Sequence, residues 1–78
     1  MNEITEKIQL IIKDNFGLDE MSLKGDANFS DDLGIDSLDI MELLIRIEKE
    51  FNIKIPDEDA EKLTNTSSII AYVQQQLN

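Results

Sequence analysis

The chain has 78 residues, one small domain's worth, with a thin core and little room for a catalytic cleft. It contains no Cys and no His, which excludes disulfides, thiolate nucleophiles, thiolate metal sites and the usual general base near neutral pH. Seventeen acids against seven bases leave a net charge of −10, which argues against nucleic acid and anionic membranes as partners and for proteins with basic patches.

Apolar residues make up 41% of the chain, enough for a folded core. Met1 to Phe16 holds no apolar core of a secretory signal, and no run approaches the length of a membrane span. The expectation is one domain over residues 1–78, cytoplasmic, monomeric and not inserted in membrane.

The first element reads as a helix, with Ile4, Ile8, Ile11 and Ile12 on one stripe. It is expected to end near Asn15, with Gly17 as the stop. Residues 17–35 read as a long loop, with Gly25, Asn28, Ser30, Asp31, Asp32 and Gly34 scattered through it. Leu18, Met21, Leu23, Phe29, Leu33 and Ile35 punctuate that loop. Such length is uncommon unless the loop is functional or pinned, and Phe29 is the largest anchor.

A second helix runs from Ser37 to about Phe51, with Asp36 as N-cap and Asp39 in the first turn. Ile55 is extended before Pro56. Asp57 to Leu63 can form one or two turns. Thr66 is the expected cap of a last helix that buries Ile69, Ile70, Val73 and Leu77, with Tyr72 flanking. The fold class is all-α: a small bundle of three main helices plus one short helix, with a long loop between the first and second helices.

The second helix has two apolar faces. Ile40, Leu43, Leu44, Ile47 and Phe51 cluster on a core stripe centred roughly 200° from Leu38. Met41 and Ile45 fall back beside Leu38, flanked by Glu42, Glu48 and Lys49. A helix apolar all round is normally a buried one, but two other main helices and a short one can hardly enclose it. Burying those flanking charges unpaired would also be costly. The strip of Leu38, Met41 and Ile45 is therefore expected to be an exposed docking surface. Residues 31–61 around it hold eleven acids and three bases.

Ser37 takes the first helical position, where unpaired N–H groups and the helix dipole favour a phosphate. On its own this is an ordinary helix-start serine. Unaided nucleophilic catalysis by it is excluded for want of a His.

The wider context is more specific. Asp31-Asp32-Leu33-Gly34-Ile35-Asp36-Ser37-Leu38-Asp39 resembles the modification site of the acyl carrier proteins. The resemblance continues through Glu42-Leu43, Glu48, Glu50-Phe51, Ile55-Pro56-Asp57-Glu58, Ala60-Glu61-Lys62 and Tyr72, nearly the whole chain. It implies a carrier and not an enzyme. Ser37 would receive a 4′-phosphopantetheine arm from coenzyme A, through a separate Mg²⁺-dependent phosphopantetheinyl transferase (a holo-carrier synthase), and the arm's thiol would hold acyl groups as thioesters. Asp36 would cap the helix and present the site. Leu38, Met41, Glu42, Ile45 and Glu48 match the partner-docking face, read by acyl-transferring and chain-elongating enzymes with basic docking patches. Phe29, Leu43, Ile47, Ile55, Ala60, Leu63, Ile69 and Tyr72 match positions around an acyl-chain cavity. The same residues are the expected core, and the two readings are compatible if the core can open.

Arg46, Lys49, Asn52 and Lys54 depart from the commonest pattern of carriers in fatty-acid synthesis, which leaves the pathway open between fatty acids and a specialised lipid or polyketide route. One rival is a calcium-binding module. Asp26, Asn28 and Ser30 have the ligand spacing of an EF-hand, but Asp31 and Ser37 stand where that loop needs Gly and Glu. The other rival is an acidic interaction domain never modified at Ser37.

Overall fold

The computed structural model describes residues 3–17 and 27–77. The expectations at Leu18, Met21, Leu23, Gly25 and Asp26 lie outside these residues. Four helices follow in chain order: α1 (Glu3–Phe16), α2 (Ser37–Phe51), α3 (Asp57–Ala60) and α4 (Thr66–Leu77).

α1 forms because its isoleucines repeat at helical spacing, and Ile8, Ile11 and Ile12 are buried along that stripe. It ends where Gly17 turns to φ +67 and donates its N–H to the Lys13 carbonyl at 2.8 Å. α2 buries Leu43, Leu44 and Ile47 and ends at Asn52, in the left-handed conformation (φ 55, ψ 49). The N–H groups of Asn52 and Ile53 both turn back to the Glu48 carbonyl.

The two helices run antiparallel. Arg46 Nη2 meets Asp14 Oδ2 at 2.8 Å, and Lys7 Nζ faces Glu50 Oε1 at 3.8 Å. Both pairs are largely solvated and contribute at most about 1 kcal/mol each. They match the antiparallel arrangement, while the apolar stripes supply most of the energy. Ile8, Ile12, Phe29, Leu43, Ile47, Ile69 and Val73 are the largest fully buried side chains, and they join into one core. Burial of each is worth about 1.5–3 kcal/mol.

Four expectations are corrected. The cap of α4 is Asn65, not Thr66. Asn65 Oδ1 accepts the Ser68 N–H at 2.8 Å, and the Ser68 hydroxyl accepts the Asn65 N–H at 3.2 Å. This is a reciprocal capping box in which Ser replaces the usual Glu, and Thr66 falls just inside the helix, where it is buried. Leu77 is 44% exposed, because the last turn of α4 runs past the core. Ile70 is only half-buried at the edge of the stripe. Finally, Asp36 holds the cap position of α2, with φ −68 and ψ 148, but its side chain makes no capping bond. Its backbone carbonyl accepts from Ile40, and its exposed carboxylate keeps its water at little cost.

Candidate functional site

The segment before Ser37 is built as a brace. The Asn28 side-chain oxygen accepts the N–H groups of Ser30 and Asp31, both at 2.9 Å. Asp32 returns the favour by accepting the Asn28 N–H at 2.8 Å. These bonds close a single turn, which Gly34 leaves at φ +64, a conformation that suits residues without a Cβ. The turn is then tied down from inside. Phe29 is buried, meets the Phe16 ring edge-on with centroids 5.7 Å apart, and donates its N–H to the Thr64 carbonyl at 2.8 Å. The Ile35 N–H donates to the Phe29 carbonyl at 2.8 Å. Ser37 thus emerges from a segment fastened both to the end of α1 and to the connection before α4. The same bonds bear on the calcium reading, whose first position, Asp26, lies outside the described residues. Asn28 Oδ1 and Asp32 Oδ2 are engaged with backbone N–H groups, and no cluster of metal-ligating side chains occurs among the described residues.

Ser37 itself is exposed, as are Asp36 and Asp39 beside it. Asp36 makes no capping bond and no other side chain among the described residues caps the first-turn N–H groups, so among these residues the positive end of α2 is open next to the Ser37 hydroxyl. Ser37, Ile40, Met41, Leu44, Asp57, Ala60 and Glu61 line a surface groove of about 440 Å³ between α2 and α3. Its inner wall is apolar, and Leu44 and Ala60 belong at once to the groove and to the core cluster.

Along the outer face of α2, Leu38 is 70% exposed, Met41 44% and Ile45 46%. Glu42 is exposed among them. Glu48, named with them from the sequence, is half-buried and turns to the loop beyond the helix, where its Oε2 accepts the Ile55 N–H at 2.7 Å.

The eight positions named for an acyl cavity come together in one cluster. Phe29, Leu43, Ile47, Ile55, Leu63 and Ile69 are buried, with Ala60 and Tyr72 packed half-buried against them. Tyr72 donates its hydroxyl to Asp59 Oδ2 at 2.8 Å. Its pKa is raised, first by burial and then by that bond and the negative charges of Asp59 and Glu48.

Sequence reasoning missed three features. The brace was signalled by Asn28 followed three and four residues later by acids, a capping-box spacing. The groove residues Asp57 and Glu61 meet Ser37 only through tertiary folding. The projection of Ile53 and Lys54 beside Lys49 was signalled only by Asn52, a residue that tolerates the left-handed turn.

The comparisons agree with this geometry. The family described as "Phosphopantetheine attachment site" matches residues 6–73. An acyl carrier protein from Guillardia theta is 45% identical over 75 residues, covering 96% of this chain and 93% of the relative. The solved structure of a thermally stable acyl carrier protein from Enterococcus faecalis superposes with a TM-score of 0.81 at 32% identity, covering 95% of this chain and 94% of that one. An all-helical bundle with an exposed serine at a helix start, matched over almost its full length by sequence and by fold, belongs to the acyl carrier protein family, whose members are carriers of covalent 4′-phosphopantetheine and not enzymes.

Proposed function

We propose that Ser37 is the residue that bears the arm and that the whole 78-residue chain is a single carrier domain. The observation that carries this is the position of Ser37: exposed, at the uncapped start of α2, on a braced segment. The residues fit the group. A phosphodiester on the Ser37 oxygen meets the open N–H groups of the first turn, which favour negative charge. Asp36 and Asp39 flank the hydroxyl and suit a transferase that works with Mg²⁺ and a basic surface. When bound, the arm supplies the terminal thiol that this Cys-free chain lacks, and acyl groups are held there as thioesters.

The chain's own residues have three tasks in this reading. The brace keeps Ser37 at a fixed point. Leu38, Met41 and Ile45 seat the partner's apolar side chains, with Asp36, Asp39 and Glu42 steering basic enzymes toward them. The groove beneath Ser37 receives the first part of an acyl chain against Ile40, Leu44 and Ala60, and the core residues Phe29, Leu43, Ile47 and Leu63 part to admit more of it. The partners are a phosphopantetheinyl transferase and enzymes of fatty-acid or related acyl synthesis that load, extend or unload the thioester.

The test is to incubate the chain with coenzyme A, Mg²⁺ and a broad-specificity phosphopantetheinyl transferase and to weigh the product. One added phosphopantetheine is expected, and none on Ser37→Ala. Modification of the alanine variant, or none of the wild type, rejects the assignment.

A further inference from the structure

The apolar strip on α2 does not end at Ile45. One turn on, the same stripe carries Lys49, and the left-handed turn at Asn52 brings Ile53 and Lys54 alongside. Ile45, Glu48, Lys49, Asn52, Ile53 and Lys54 line a second open groove of about 500 Å³.

Charge changes sign along this face. At the Ser37 end Asp36, Asp39 and Glu42 are exposed acids, joined by Asp57, Glu58 and Glu61. At the far end Lys49 and Lys54 are exposed, and neither makes an ion pair among the described residues. The nearest acids on α2 already have partners, although Glu48 keeps its negative charge and also lines the groove. Glu48 accepts the Ile55 N–H, and Glu50 faces Lys7 on α1. Arg46, the remaining base of α2's second half, is matched by Asp14. Lys49 lies twelve residues beyond Ser37, about 18 Å along the helix at 1.5 Å per residue. That distance exceeds the screening length of about 8 Å at physiological salt. A partner therefore meets the two ends as separate charges, not as one average acidity.

We propose that the groove at Ile45 and Ile53 is a second half of the docking face and takes an acidic segment of a protein partner. An apolar side chain of the partner sits between Ile45 and Ile53, and its carboxylates face Lys49 and Lys54. Basic residues of the same partner face Asp39 and Glu42. The proposal rests on the carrier reading above and adds the chemistry of the partner. Its effect is selection. An enzyme whose docking surface is basic along its whole length matches the Ser37 end but meets like charge at Lys49 and Lys54.

The probes are two helical peptides with the same leucine stripe, each long enough to span Leu38 to Ile53. One is flanked by lysine throughout; the other is flanked by lysine at one end and glutamate at the other. Each is titrated into the isotope-labelled full chain and followed by amide NMR. The two-signed peptide should bind about tenfold more tightly, the sum of a few rim charge contacts. Amides at Ile45 and Ile53 should shift, and the K49E/K54E double variant should prefer the all-lysine peptide. Circular dichroism confirms that the variant, altered only at exposed positions, keeps its helices. Equal affinities, a wild-type preference for the all-lysine peptide, or shifts confined to other faces overturn the proposal. So does self-association of the wild type that the double variant loses in sedimentation, since the occupant would then be a second copy. Phosphopantetheine loading of the same wild-type preparation separates the two readings: normal loading without a peptide preference rejects the two-signed face alone, whereas failure to load rejects the carrier role.

Discussion

The hydroxyl of Tyr72 on α4 donates to the carboxylate of Asp59 on α3 across 2.8 Å. It is the sole tyrosine in the chain, so its ionisation can be followed without interference. Burial and two acidic neighbours hold the neutral form, so the folded pKa lies above the unfolded one of about 10. The stabilisation is therefore complete below the ordinary tyrosine range and is lost as pH rises through the folded value. Phenolate absorbance should titrate later in the folded chain than in urea. Tyr72→Phe should lower neutral stability by about 0.5–1.5 kcal/mol and flatten the alkaline loss. An unshifted titration would show that the bond does not persist in solution.

Phe29→Ala should be the most damaging change in the segment before Ser37. It empties a fully buried aromatic site and removes the ring contact with Phe16. The expected cost of about 3–5 kcal/mol is a large part of a small domain's stability. Urea unfolding measures it. Leu33→Ala, at a half-buried position in the same segment, should cost clearly less.

Met41→Asp distinguishes docking from packing. Met41 is 44% exposed, so the variant should keep its helical circular dichroism and melt within a few degrees of the wild type. Transfer of phosphopantetheine to Ser37 should slow through a higher KM for the carrier. An unfolded variant would place Met41 in the core instead.

Ionic strength should stabilise the chain. A net charge of −10 on 78 residues opposes the compact state, most strongly between residues 31 and 61. Raising salt, or adding millimolar Mg²⁺, should raise the melting temperature. The same salt should slow association with a basic partner. A melting temperature indifferent to salt would mean that self-repulsion is negligible.

What could be read from residues alone follows the length of each pattern. The fifteen residues of α2 repeat often enough to show both of its faces, and the exposure of Leu38, Met41 and Ile45 matches that reading. Helix ends are set by one or two bonds. In Asn65-Thr66-Ser67-Ser68 each residue is a reasonable cap, and only the geometry selects Asn65. Asp36 took its expected position without its expected bond. Glu48 shows the remaining gap. Its place on the helix wheel puts it beside the exposed apolar strip, yet a loop seven residues later claims its carboxylate. Arg46 was an anomaly in the sequence and becomes the partner of Asp14 once α1 lies against α2.

α3 is four residues long and buries none of its side chains. It is fastened chiefly by the Tyr72–Asp59 bond and the turn bonds around Pro56. Three of the walls around the core are long helices, and the fourth is this single turn beside Ser37. Its displacement would uncover Leu44 and Leu63 without separating α1 from α2 or α4. Amide hydrogens from Asp59 to Leu63 should then exchange through a shallow local opening, well ahead of those in α1 and α2, which await global unfolding. In the carrier reading, a cargo that enters the interior would draw on that opening equilibrium, so its exposure to hydrolysis would depend in part on how tightly one phenol holds one carboxylate.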